Sequence, residues 1–248
     1  MKMYIDGKRI HYIRKGFGEP ILFIHGWGGS TNSLNQLSNH FESSRDIILL
    51  DLPGFGDSEL PDSNWGSYDY ANFVAIFLKQ LGINKITYFG HSFGGSLGII
   101  LSVKHPSLIS QLILCGSAYK RTDKKSNSAS SLKRFIYSIP IIGSFGPILR
   151  KFGYAIFFRN SDLIKFPKLE SNFKKIVSED LTSLLPKIKT KTLILWGEND
   201  TQTPVSLAYE LKDKIKSSKL KIFPNVKHDL PLIKPLLVAQ SIKEFIQT

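Results

Sequence analysis

Short apolar runs recur along the chain and are separated by stretches whose apolar positions fall every three or four residues. The runs "ILFIH" (21–25), "IILLD" (47–51), "ITYFG" (86–90), "LILCG" (112–116), "TLILWG" (192–197) and "KLKIF" (219–223) are five or six residues long and almost continuously hydrophobic. Their brevity predicts strands, and their lack of alternation suits central strands buried on both faces. The intervening periodicity predicts helices over roughly 68–81, 93–104, 204–216 and 234–247, with an earlier helix ending near His40. The opening "MKMYIDGKRIHYIRK" alternates apolar and polar residues around Asp6-Gly7, a pair that favours a tight hairpin turn. Strands alternating with helices predict an α/β fold with a mostly parallel sheet, eight strands once the hairpin is counted, flanked by helices.

The alternation breaks near residue 119. A polar linker, "KRTDKKSNSASS", is followed by "LKRFIYSIPIIGSFGPILRKFGYAIFFRN", whose Gly, Pro and bulky apolar residues fit short helices. The expected organisation is therefore one core in two pieces, 1–118 and 187–248, with a helical cap at 119–186 inserted after the sixth strand. Charge follows the same boundary. The formal net charge is +13, yet residues 119–191 hold sixteen Lys/Arg against five Asp/Glu, while the rest of the chain holds seventeen against fifteen. The excess is read either as solvated lysines or as attraction to an acidic carrier protein, an anionic lipid surface or an anionic substrate. No zinc, RNA-recognition or helix-turn-helix pattern accompanies it, so no nucleic-acid partner is expected.

The N-terminus has no apolar core of a signal peptide, and no uncharged apolar run reaches the length of a membrane span. With Cys115 as the single cysteine, no internal disulfide can form, and a reducing, cytoplasmic setting is expected. The place of Cys115 in "LILCG" suggests a buried small hydrophobe rather than a reactive thiol.

The stretch "KITYFGHSFGGSLG" (85–98) places Ser92 between Gly90 and Gly94, after a predicted strand and before a predicted helix. That is the setting of the G-x-S-x-G elbow, in which flanking side chains would collide with backbone and the serine is held at a strained apex beside a helix N-terminus. A serine hydroxyl is a weak nucleophile at neutral pH, so a base and a group that orients the base are needed. His228, in "PNVKHDLP", is the one histidine between the last strand and the last helix. His11, His40 and His105 are read as solvated or packed, and His91 as pointing away from its serine neighbour. For the acid, Asp200 in "LILWGENDTQTP" follows a strand and precedes a helix opened by Pro204. Glu198 and Asp229 are its rivals, one close to the strand end and the other adjacent to the histidine. The Gly-rich turn "FIHGWGG" and the residue after the serine would supply two oxyanion donors, the backbone N–H groups of Trp27 and Phe93. The Trp27 ring would also line the substrate pocket beside Phe93. Asp51, in "DLPGFGDS", precedes the serine and is read as a turn-former.

Through "HGWGG", "DLPGFGDS", "GHSFGG", "LILWGENDTQTP" and "NVKHDLP", in this order, the chain resembles a single-cap member of the α/β-hydrolase fold superfamily. The resemblance implies that Ser92 is the nucleophile, Asp200 the orienting acid and His228 the base, with Trp27 and Phe93 lending donors and 119–186 covering the site. It implies no metal and no organic cofactor. Relatives that open carbon–halogen bonds or epoxides carry Asp at the elbow, so Ser92 favours acyl chemistry. "HGWG" with "DLPGFG" is similar to the carboxylesterase of biotin synthesis, which acts on an acyl group held by an acidic carrier. The expected activity is hydrolysis of a small ester, thioester or lactone through an acyl-enzyme. The alternatives are a carbon–carbon bond hydrolase or other non-ester enzyme on the same fold, and a binding protein with a vestigial triad. Phe135, Tyr137, Phe145, Phe152, Tyr154, Phe157 and Phe158 suggest an apolar acyl pocket or ordinary packing of the cap.

Overall fold

The computed structural model describes residues 1–62, 64–121 and 166–247. Most of the expected cap and all seven of its aromatic residues named above lie outside the described residues.

Eight strands form one sheet: β1 (Lys2–Ile5), β2 (Lys8–Gly16), β3 (Pro20–Ile24), β4 (Asp46–Leu50), β5 (Ile86–His91), β6 (Ile109–Cys115), β7 (Lys191–Gly197) and β8 (Ser218–Phe223). Their spatial order is β1-β2-β4-β3-β5-β6-β7-β8. β1 and β2 form the hairpin, turning through Asp6 and Gly7 at positive φ, and β2 pairs antiparallel with β4. Every pairing from β4 across to β8 is parallel.

Seven α-helices are described: α1 (Thr31–Asn39), α2 (Ser67–Gln80), α3 (Phe93–Lys104), α4 (Glu170–Ser178), α5 (Ser206–Lys214), α6 (Leu230–Ile233) and α7 (Pro235–Ile246). The two-residue period of a strand sends alternate side chains to opposite faces and so builds two cores. Leu22, Ile24, Tyr88, Leu112, Leu114 and Trp196 face α2, α3 and α5. Ile21, Phe23, Phe89, Ile113, Cys115 and Leu195 face α1 and α7. β3, β4, β5 and the end of β6 are buried residue after residue because both faces are covered, which is why their sequences show no alternation. β8 departs from that reading. It is the edge strand, and its Lys219 and Lys221 alternate outward.

The parallel strands all run the same way, so the loops after β3, β5, β6, β7 and β8 gather along one carboxyl edge. Ligands bind at that edge in open α/β sheets.

Candidate active site

At the end of β5 the chain reverses within one residue. Ser92 sits at φ 52° and ψ −115°, the only residue between strand and α3. A non-glycine residue at positive φ costs of the order of 1–3 kcal/mol unless its surroundings impose it. Here they do: the Ser92 N–H donates to the Cys115 carbonyl at 2.9 Å, and the Ser92 carbonyl accepts from Gly95 (2.9 Å) and Ala118 (3.2 Å). The flanking glycines are required by space. A Cβ on Gly90 would stand 2.3 Å from the Gly94 carbonyl oxygen, and one on Gly94 would stand 2.4 Å from that of Ile24.

Asp200 occupies the turn after β7, buried, with both carboxylate oxygens engaged. Oδ1 accepts the backbone N–H groups of Gln202 (2.9 Å) and Thr203 (2.8 Å), and Oδ2 accepts the Thr203 hydroxyl at 2.8 Å and His228 Nδ1 at 2.7 Å. Burial alone would push this carboxyl upward, but the hydrogen bonds from His228 and Thr203 outweigh it and hold Asp200 below the ordinary carboxylate range. A proton on Nδ1 toward Asp200 leaves Nε2 of His228 as the ring's acceptor. The ring lies over Gly116, where a Cβ would come within 3.4 Å of its Cε1 and Nδ1 and within 3.5 Å of Asp200 Oδ2. Gly116 directly follows Cys115, the residue whose carbonyl holds the Ser92 N–H, so the Asp200–His228 pair stands at the end of β6, beside the strand end that carries Ser92; among the described residues no hydrogen bond joins the Ser92 hydroxyl to His228.

The "HGWGG" turn closes the other side. A Cβ on Gly26 would lie 3.0 Å from Ser92 Cβ, which puts the Trp27 backbone beside the serine. The Trp27 N–H makes no backbone hydrogen bond among the described residues, and the Phe93 N–H opens α3, where no helical acceptor precedes it. His25 shapes this turn: its Nδ1–H donates to the Gly26 carbonyl at 2.7 Å and its Nε2 accepts the Leu52 N–H at 3.1 Å. Burial pushes the His25 ring toward its neutral form.

Asp51 is likewise an architectural group. It takes N–H donors from Thr31 (2.6 Å) and Asp57 (3.0 Å) and pairs with His11 Nδ1 at 2.7 Å. Among the described residues, His11, Asp51 and Asp57 form the one cluster with metal-ligand spacing. The Asp51 oxygens are already occupied by those donors, as a brace between loops requires. Cys115 is fully buried and its thiol is pushed up by desolvation, which keeps it protonated.

Three features were not anticipated from the sequence. Thr203 clamps Asp200, and its carbonyl is fixed in turn by Trp196 Nε1 at 2.8 Å. The spacing of "DTQT" could have signalled it, since an Asp that accepts N–H groups two and three residues on is an Asx turn. Phe166 and Phe173 extend an aromatic cluster over the site: Trp27 packs on Phe55 (4.9 Å between centroids), Phe93 (5.8 Å) and Phe173 (5.1 Å), and Phe166 packs on Phe55 (5.2 Å). The third is His91, whose ring lies 4.9 Å from that of His228 and whose Nε2–H donates to the His228 carbonyl at 2.9 Å.

Burial, followed by the neighbouring His228, draws His91 down to about 4 from its ordinary 6.5. Between those values the unfolded chain binds more protons than the folded one, so stability falls as pH drops from about 6.5 toward about 4. The loss expected from His91 is about 3 kcal/mol at about 1.4 kcal/mol per unit. Urea melts at pH 7 and pH 4.5 read it: the wild type weakens between them, and His91→Gln shows a smaller decrement. Equal decrements would remove His91 as the cause.

A family model described as alpha/beta hydrolase fold matches residues 19–138. Among curated relatives, the chain is 29% identical over 246 residues to the 2-hydroxy-6-oxononadienedioate/2-hydroxy-6-oxononatrienedioate hydrolase of Escherichia coli (strain K12), covering 89% of this chain and 84% of the relative. It is 28% identical over 244 residues to the serine hydrolase BPHL of Homo sapiens, covering 93% and 80%. Among solved structures, the esterase EaEST from Exiguobacterium antarcticum superposes with a TM-score of 0.76 at 23% identity, covering 98% of this chain and 97% of that one.

Proposed function

We propose that this chain, which has the α/β-hydrolase fold, is a serine hydrolase that cleaves carboxylic esters through an acyl-enzyme built on Ser92, His228 and Asp200. The observation that carries the reading is the 2.7 Å pair between Asp200 and His228, set over Gly116 next to a serine at positive φ. With Nδ1–H committed to Asp200, His228 Nε2 takes the Ser92 proton as the hydroxyl attacks the ester carbonyl. The N–H groups of Trp27 and Phe93 receive the oxyanion, and losing one such donor typically costs about 3 kcal/mol of barrier. His228 then passes its proton to the departing alcohol, and water clears the acyl group by the same route. Asp200, kept ionised by Thr203 and the two turn N–H groups, stabilises the imidazolium at each stage. The aromatic cluster around Trp27 favours an apolar acyl chain. The similarity to a curated serine hydrolase supports serine-dependent hydrolysis, and residues 119–186 are proposed to select the substrate.

The test is a panel of esters, thioesters, lactones and a diketone assayed side by side, together with labelling by a fluorophosphonate. Ester turnover and a covalent adduct on Ser92 are expected. Turnover confined to the diketone would move the chemistry toward the oxo-dienedioate class named for the relative of Escherichia coli. No label at Ser92 would favour a binding protein.

A further inference from the structure

The short helix α6 begins two residues after His228, on the carboxyl edge of the sheet, and α7 follows with a single residue between them. Leu230 and Pro231 at the start of α6, and Val238, Ala239, Ile242 and Phe245 of α7, turn inward and are buried. The residues between them face water. Leu232 (40% exposed), Ile233 (50%), Leu236 (54%) and Leu237 (45%) form a run of four large aliphatic side chains open to solvent within six positions. Other exposed large hydrophobics, such as Tyr4, Phe17, Leu60 and Tyr209, stand singly along the chain and need no special explanation. A contiguous aliphatic patch on a charged protein marks an interaction surface.

The charge around the patch identifies what it meets. Lys234 is exposed within the run and Lys227 is exposed five residues before it, and Asp229 is the one acid between residues 226 and 243. The whole chain carries +13, eleven of it in residues 119–191. In a symmetric pairing of two copies, the same lysines would face each other and two highly positive molecules would be brought together. Aliphatic side chains accompanied by lysine on short helices instead have the composition of segments that lie in the boundary between lipid headgroups and acyl chains. We propose that Leu232, Ile233, Leu236 and Leu237, together with Lys227 and Lys234, dock this protein onto the surface of an anionic lipid bilayer. The aliphatic side chains enter the headgroup region while the lysines meet lipid phosphates, and the carboxyl edge that holds Ser92, Asp200 and His228 lies next to the membrane. No helix among the described residues is long and apolar enough to cross a membrane, so contact of this kind is peripheral.

The full-length chain is sedimented with vesicles of phosphatidylcholine alone and of phosphatidylcholine with phosphatidylglycerol, at low and at high salt. Binding to the anionic vesicles is expected, weakened by salt. Replacing all four aliphatic residues with glutamine is expected to lower partitioning by about 100-fold, which corresponds to about 2.7 kcal/mol. Lys227→Gln with Lys234→Gln is expected to lower it by about 10-fold on anionic vesicles only. These positions lie outside the proposed triad and donors, so melting temperature and turnover of a soluble ester should be unchanged in both variants. Vesicle binding by the four-glutamine variant equal to wild type would locate the attraction in lysines elsewhere and overturn the proposal. So would absence of binding, a dimer that the same variant dissociates in light scattering, or binding to a purified acidic carrier protein without binding to vesicles.

Discussion

Ser92→Ala is expected to lower kcat on a short nitrophenyl ester by about 10⁵- to 10⁶-fold, the scale seen when a serine nucleophile is removed from an acting triad. The fold should survive. Among the described residues, the hydrogen bonds that hold position 92 run through its backbone, to Cys115, Gly95 and Ala118. Alanine keeps those bonds and tolerates φ 52° about as badly as serine does. A stopped assay with active-site titration, paired with a thermal melt, separates lost chemistry from lost structure. Residual turnover above roughly one part in 10³, with an unchanged melt, would reject Ser92 as the nucleophile.

A large stability loss is expected at Gly94. A methyl group there meets two fixed backbone oxygens, those of Ile24 at 2.4 Å and of His25 at 2.8 Å, and neither can rotate away as a side chain could. Moving them means separating α3 from the end of β3, which also carries the turn with the Trp27 N–H. A cost of about 3 kcal/mol or more follows, at the upper end of overpacking. Gly82→Ala is the control. It too changes a glycine, at φ 71°, but nothing lies within 4 Å of the added carbon, so it bears the conformational penalty alone, about 1 kcal/mol. Urea melts of the two variants should differ by roughly 2 kcal/mol. If Gly94→Ala melts with Gly82→Ala, the close approach of elbow and strand is not what makes that glycine necessary.

Much of this architecture could be read from the chain because strands covered on both faces announce themselves as unbroken apolar runs, as "ILFIH" and "IILLD" do. The glycine spacing around Ser92 was equally legible, since a turn that tight excludes side chains on local grounds. Asp200 and His228 could be singled out by their order relative to strands and helices. Their 2.7 Å meeting could not, because it depends on how the loops after β7 and β8 lean toward each other. The same reason hides His91, Phe166 and Phe173. Thr203 acts on a neighbour in sequence but gains its value from His228, and the two phenylalanines matter through Trp27 and Phe55, which lie more than a hundred positions earlier. The edge position of β8 left a trace in the chain, the alternation of Lys219 and Lys221 with Leu220 and Ile222.

β6 and β7 lie side by side, with Leu112 opposite Thr192, although about eighty positions separate those partners in the chain. The polypeptide thus leaves the sheet after β6 and returns to it through one doorway, between two neighbouring strands. Lengthening or rewriting what hangs from that doorway adds an entropic cost that rises only as the logarithm of length. The sheet therefore tolerates change in the length of that connection while the pairing of β6 with β7 stays as it is.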